Sequence, residues 1–167
     1  MSEVIWAPWR MEFIVKDKTP GCVLCNYVDV APAPDKLVLA QRPLAFVVLN
    51  KYPYTAGHIM VVPKRHVSDP IELEATESAA LWSLVQASVS PLRRATGCSG
   101  INIGMNVGRV AGAGIYEHIH VHLVPRWEGD NNFIAVVGDA RVMPEYLEQS
   151  RQRLEIAFTE LHEEAQK

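Results

Sequence analysis

Three of the chain's six histidines, His118, His120 and His122, fall at i, i+2 and i+4 within residues 117–126. In a β-strand that spacing puts all three imidazoles on one side and Ile119, Val121 and Leu123 on the other. In a helix it would scatter them over different faces. The β-branched residues between them favour the strand. The expected result is a row of imidazoles roughly 7 Å apart along one sheet face. Such a row can divide its labour: one ring as a nucleophile, a second as a proton carrier, a third as a metal ligand. A half-buried strand without chemistry accounts for one such histidine more readily than for three in alternation followed by Pro125-Arg126.

Two other stretches carry residue types that chemistry uses. Cys22 and Cys25 form a C-x-x-C pair after the Pro20-Gly21 turn. That pair reads as a zinc half-site, a redox pair or two buried thiols, and a tetrahedral zinc site needs two further ligands. Residues 108–114, Gly-Arg-Val-Ala-Gly-Ala-Gly, form a loop with three glycines and little side-chain bulk. Its backbone N–H groups can approach a phosphate closely. Alone it reads as an ordinary connection between strands. Directly before the histidine strand, a phosphate-binding role for it becomes the better reading.

The elements that must position these residues follow from periodicity. Residues 37–40 and 45–50 read as strands around a Gln41-Arg42-Pro43 turn, and residues 58–63 as a third strand after the turn at 52–57. Ser68-Asp69-Pro70 should open a helix. Leu81, Leu84, Val85, Val89 and Leu92 form its buried stripe, which Trp82 would extend. Pro91 should kink or end that helix early, before Gly97. Residues 101–107 read as a strand, and residues 144–164 as a C-terminal helix with Leu147, Leu154, Phe158 and Leu161 on one stripe and His162 solvated near its end. Residues 28–36 read as a loop, Cys98 as a small buried residue, and Trp6 and Trp9 as aromatic anchors of an irregular N-terminal segment.

Composition bounds the function class. The 167 residues fit one domain, residues 1–167, with 49% apolar and 21% charged residues, as in a soluble globular protein. A net charge of −3 gives no sign of affinity for nucleic-acid polymers or membranes. The start shows no basic-then-apolar signal pattern, and no apolar run reaches the length of a membrane span. Three cysteines suggest a reducing compartment, so a cytoplasmic protein is the expectation.

The pattern from His118 to Val124, with Asn50, Gly57-His58 and Pro63-x-x-His66, resembles the histidine triad family of nucleotide hydrolases and transferases. Asn106-Val107-Gly108, Ala111-Gly112 and the run from Arg126-Trp127 to Asn132-Phe133 are similar to a bacterial branch that includes diadenosine tetraphosphate phosphorylases. The resemblance covers roughly residues 6–133. It implies an α+β fold, an antiparallel sheet of about five strands with a long central helix and a C-terminal helix, commonly as a homodimer. It implies that His120 attacks the α-phosphorus and forms a nucleotidyl-histidine, assisted by His122 and His58. Asn50 would contact the ribose, Asn106 the phosphate or sugar, and Gly112, Ala113 and Gly114, with Trp127, would complete the nucleotide site. In a related branch a structural zinc takes the equivalents of Cys22, Cys25, His66 and His118, a closed Cys₂His₂ set. No organic cofactor is implied, and no magnesium-binding carboxylate cluster stands near these motifs. The expected activity is cleavage of dinucleoside polyphosphates, diadenosine tetraphosphate foremost, with phosphorolysis slightly favoured over hydrolysis. The alternatives are an adenosine phosphoramidate hydrolase, a nucleotide sensor with incidental turnover and a zinc-stabilised interaction module.

Overall fold

The computed structural model describes residues 21–33, 35–130 and 145–163. The expectations for Trp6, Trp9, Asn132 and Phe133 lie outside these residues. Strands β1 (Val38–Gln41), β2 (Ala45–Leu49), β3 (Ile59–Pro63), β4 (Gly100–Met105) and β5 (Val121–Arg126) form one antiparallel sheet in the order β1-β2-β3-β5-β4. Helices α1 (Ala75–Thr96) and α2 (Leu147–Glu163) complete the expected α+β fold.

Parity along the strands sorts the side chains into two layers. Val47 and Leu49 of β2, Ile59 and Val61 of β3, and Val121 and Leu123 of β5 join Leu81, Leu84, Leu92, Leu154 and Phe158 of the helices in the main core. The intervening positions face the other way. Phe46, Val48, Met60 and Val62 cluster with Leu24, and Cys22, Tyr27 and Ile115 pack against them. Asn50, His58 and the three triad histidines share the parity of this second face. Strands buried on both sides need continuous apolar runs, as β2 and β3 have.

Four expectations about the helices are corrected. Asp69 caps a single 3-10 turn, Pro70–Glu72, in a capping box with Glu72, and the long helix begins only at Ala75 after a second capping box between Glu74 and Glu77. Pro91 does not end the helix, which runs on to Thr96. Proline removes one backbone hydrogen bond at a cost of about 3 kcal/mol. Here Pro91 and Leu92 are both buried, and burial of a leucine-sized side chain contributes about 1.5–3 kcal/mol per residue. Packing on the sheet therefore offsets the local penalty. Trp82 is 54% exposed and does not extend the buried stripe. In α2, Leu154, Phe158 and Leu161 are buried as expected, while His162 is half-buried rather than solvated.

The turn that enters β3 has a strict requirement at Gly57. Its φ is +75°, and a Cβ there would lie 2.6 Å from Thr96 Cγ2 at the end of α1. Gly57→Ala combines a left-handed backbone with this overlap, so it should cost about 2 kcal/mol of stability. Chemical denaturation checks this; a loss below about 0.5 kcal/mol would show that the turn can shift away from Thr96.

Candidate functional site

The histidine segment begins before the ladder does. Strand β5 starts at Val121, so only His122 of the three histidines lies in it, paired with Met60 of β3 and Gly104 of β4. Upstream, Ile119 N–H donates to the Val67 carbonyl at 2.8 Å, which keeps the segment beside the chain that leaves β3. All three imidazoles are buried. The His120 and His122 rings meet edge-on with centroids 4.7 Å apart, closer than the spacing of an ideal strand.

Hydrogen bonds to backbone groups fix which nitrogen of each ring carries the proton, because a carbonyl only accepts and an amide N–H only donates. His118 Nε2–H donates to the Pro63 carbonyl at 2.8 Å. Its Nδ1 lone pair then faces Cys22 Sγ at 3.4 Å and Cys25 Sγ at 3.5 Å. His120 Nδ1–H donates to the His118 carbonyl at 2.9 Å, which leaves the His120 Nε2 lone pair free of that bond. His58 Nδ1 accepts from the Tyr54 N–H at 3.1 Å, so neutral His58 carries its proton on Nε2. That nitrogen lies 2.9 Å from His122 Nδ1. His122 must accept there, and its own proton sits on Nε2. The pair of interest is thus a lone pair on His120 beside a donor on His122.

Electrostatics keep these rings neutral. Burial, reinforced by His122 and His120, pushes the His58 pKa down to about 3. Burial and the neighbouring His120 push His122 down to about 4. His120 is also lowered by burial, partly opposed by its bond to the His118 carbonyl. A neutral imidazole is the form that can act as a nucleophile.

The Cys pair is joined by two histidines. One ligand atom from each of Cys22, Cys25, His66 and His118 lies within 4.8 Å of all the others. Cys25 Sγ to His66 Nδ1 is 3.2 Å. A tetrahedral zinc with bonds of about 2.0–2.3 Å needs neighbouring ligands roughly 3.5 Å apart. The S···N separations of 3.2–3.5 Å fit that requirement. So does the chemistry: the Pro63 carbonyl holds His118 with its lone pair towards the thiols, the outer contact that metal-binding histidines use. Burial and the adjacent Cys22 raise the Cys25 thiol pKa. Arg65, next to His66, is anchored to Glu77 and to the Glu72 carbonyl, which ties the His66 segment to the start of α1.

The remaining expected residues are distributed around this centre. Asn50 lies beside His58, with its amide 3.2 Å from His58 Nδ1. Met105, the last residue of β4, pairs with Val121, the first of β5, so Asn106 and His120 each lie one residue beyond that final pair. The glycine loop contains a short 3-10 turn, Arg109–Ala111, with φ of +86° at Gly112; Ala113 is buried, and Gly112 and Gly114 are exposed. Trp127 lies at the far end of β5 from that loop, its indole N–H donating to the Thr96 carbonyl at 3.2 Å. Sequence reasoning passed over Tyr54 and Tyr116. The Tyr54 ring stacks 4.7 Å from His58 and 5.7 Å from His122. Tyr116 receives a hydrogen bond from Arg109, whose guanidinium also lies 3.8 Å from the ring centroid. The aromatic run Tyr52-Pro53-Tyr54 before Gly57-His58 was the available signal for the first; the second had none.

The depressed pKa values carry a pH signature. An unfolded imidazole titrates near 6.5, whereas folded His58 resists protonation down to about 3. The unfolded state therefore binds more protons below pH 6.5, and stability must fall as pH drops through that window, by up to about 1.4 kcal/mol per pH unit for this one group. The direct check is the imidazole C–H resonances: those of His58 and His122 should stay still between pH 8 and 5. A midpoint near 6.5 for either ring would contradict the buried neutral pair.

Comparison with known proteins agrees with this geometry. The HIT domain family model matches residues 32–129. The chain is 36% identical over 158 residues to the AP-4-A phosphorylase of Mycobacterium tuberculosis, covering 90% of this chain and 81% of the relative. It is 27% identical over 133 residues to a bifunctional bis(5'-adenosyl)-triphosphatase/adenylylsulfatase of Arabidopsis thaliana, covering 77% of this chain and 73% of that one. The fold superposes with a TM-score of 0.66 on a zinc-bound histidine triad family protein from Mycobacterium smegmatis, at 29% identity, covering 86% of this chain and 96% of that one. With the triad on one sheet face, the His58–His122 pair beside it and a matching family model over more than half the chain, the protein belongs to the histidine triad family.

Proposed function

We propose that this protein is an enzyme that cleaves dinucleoside polyphosphates, diadenosine tetraphosphate foremost, through a nucleotidyl-histidine on His120. The observation that carries the reading is the proton placement in the triad: a free Nε2 lone pair on His120 beside a His122 that keeps its proton on Nε2. The likeness to an AP-4-A phosphorylase supports the substrate class. The His120 lone pair attacks the α-phosphorus, a P–N bond forms, and the bond to the bridging oxygen breaks with its electron pair leaving on ATP. The His118 carbonyl, already bonded to Nδ1–H, stabilises the positive charge that His120 acquires. His122 Nε2–H donates to a phosphate or leaving-group oxygen. An oxygen of inorganic phosphate then attacks the same phosphorus, the P–N electron pair returns to His120, and ADP is released. Asn50, Asn106 and the backbone of Gly112, Ala113 and Gly114 complete the nucleotide site in this reading. The Arg109 guanidinium, held over Tyr116, supplies positive charge on the glycine loop.

Cys22, Cys25, His66 and His118 would hold a structural zinc. It would supply a cation between the two sulfurs and tie the segment around Cys22 to the histidine strand. A homodimer belongs to the same reading. Among the described residues strand β4 stands at a sheet edge and carries Ile103, 41% exposed, a border that a second copy can cover.

Incubation of the enzyme with diadenosine tetraphosphate, with and without phosphate, tests the reaction. Formation of ADP plus ATP only when phosphate is present is the expected result, and His120→Ala should lower the rate by at least about a thousandfold while nucleotide binding survives. AMP plus ATP without phosphate would make the enzyme a hydrolase. Cleavage of adenosine phosphoramidates alone would overturn the substrate class.

Metal analysis of protein purified without chelator should find one zinc per chain. Cys22→Ala should lose the metal and melt at a lower temperature, because structural zinc contributes folding free energy directly. Metal-free wild-type protein with an unchanged melting temperature would overturn the zinc site.

A further inference from the structure

We infer that Asn50 is a positioning residue that sets the proton arrangement of His58 and, through it, of His122, in addition to any contact with a ribose. The inference rests on the reaction proposed above for its kinetic consequence, but not for its structural one.

The orientation of the Asn50 amide follows from its neighbours. The Tyr52 N–H lies 2.9 Å from Asn50 Oδ1. A backbone N–H only donates, so the oxygen must be on that side and the NH₂ group on the other. The NH₂ group then faces His58 Nδ1 at 3.2 Å. Together with the Tyr54 N–H at 3.1 Å, it gives that nitrogen two donors and no acceptor. Neutral His58 is thereby confined to the tautomer protonated at Nε2, which donates to His122 Nδ1 at 2.9 Å. The chain of donors ends at His122 Nε2–H.

Asn50 holds both ends of this device. Its oxygen secures the Tyr52 N–H, and so the turn that brings the Tyr54 N–H to the ring. Its nitrogen supplies the second donor directly. The Asn50 N–H also donates to the His58 carbonyl at 2.9 Å, so the two residues face each other at the mouth of the β2–β3 connection. Without the side chain, His58 Nδ1 loses one of its two donors and the Tyr52 N–H loses its acceptor, so the turn that presents the Tyr54 N–H is held to the ring by fewer contacts. The ring can then take up its proton at Nδ1. In that case Nε2 becomes an acceptor towards His122, the His122 proton moves to Nδ1, and the donor beside His120 is lost.

A ribose contact and a positioning role make different predictions for a substrate without ribose hydroxyls. The experiment uses the full-length chain, the Asn50→Ala variant, diadenosine tetraphosphate and its analogue lacking the 2'- and 3'-hydroxyls. If Asn50 positions His58, kcat falls about tenfold or more on both substrates, with a smaller change in KM. A defect that appears in KM and vanishes on the deoxygenated substrate would overturn the inference.

A second arm needs no turnover. Correlation of ring nitrogens with ring protons by NMR should show wild-type His122 with its proton on Nε2, and Asn50→Ala with a mixture of tautomers. Asn50→Asp is the companion variant. It keeps an acceptor for the Tyr52 N–H and so keeps the turn, but it turns a carboxylate oxygen towards His58 Nδ1. It should displace the same His122 signal. Unchanged His122 tautomers in both variants would overturn the inference. Failure of the wild-type chain to cleave either substrate would sink the proposed reaction, and the tautomer measurement would still decide the role of Asn50.

Discussion

The arrangement depends most on the hydrogen bond between His120 Nδ1 and the carbonyl of His118. At 2.9 Å it spans two residues and fixes the free lone pair of His120 on Nε2. The residue that supplies the carbonyl also sends its side chain the other way, towards Cys22 and Cys25. One residue thus joins the Cys₂His₂ cluster to the proposed nucleophile through about as short a covalent path as a peptide allows. The Pro63 carbonyl clamps the His118 ring from the end of β3. Whatever holds the cluster therefore also holds His120, and the segment that carries both needs no ladder hydrogen bonds of its own before Val121.

The sheet does the rest by parity. Every second residue of β2, β3 and β5 enters the helix-covered core, and the alternate ones form the opposite face. His58 lies one residue before β3, and His122 one residue into β5. Both fall on that opposite face because β3 and β5 are antiparallel neighbours in register. The pairing brings two residues 64 positions apart to within 2.9 Å. A slip of one residue in β5 would turn His122 into the apolar core, away from His58, and the bond between them could not be made. Core packing therefore selects the register, and the register creates the pair.

Much of this was legible in the chain. The alternation of His118, His120 and His122 with Ile119 and Val121 named the face and the chemistry, and five strands with two helices followed from periodicity. The ligand set Cys22, Cys25, His66 and His118 converges in space as the resemblance implied. What escaped was set by tertiary contacts. Pro91 promised a break that packing on the sheet overrode. Trp82 matched the helical stripe by hydrophobicity but not by angle. Arg109 and Tyr116 are seven residues apart in a loop, where no periodicity predicts a contact. The proton placements depend on backbone carbonyls and amides, Pro63, His118, Tyr52 and Tyr54, whose positions no side-chain pattern reports.

Neutral rings suit a polyphosphate substrate for a reason that burial alone does not reveal. A dinucleoside polyphosphate brings several negative charges next to the histidines, and each nearby anion raises an imidazole pKa by favouring the protonated form. A nucleophile that started near the ordinary histidine value would be captured as imidazolium by its own substrate and would lose its lone pair. His120 begins below that value, lowered chiefly by burial, and His58 and His122 begin at about 3 and about 4. The binding of an anion then moves all three upward from a point where they have room to move. The hydrogen bond to the His118 carbonyl works in the same direction as the anion, because it too favours the cationic ring. Its value comes after attack, when His120 carries a phosphoryl group on Nε2 and a formal positive charge. Burial thus protects the ground state from the substrate's charge, and the carbonyl receives the charge that the reaction itself creates.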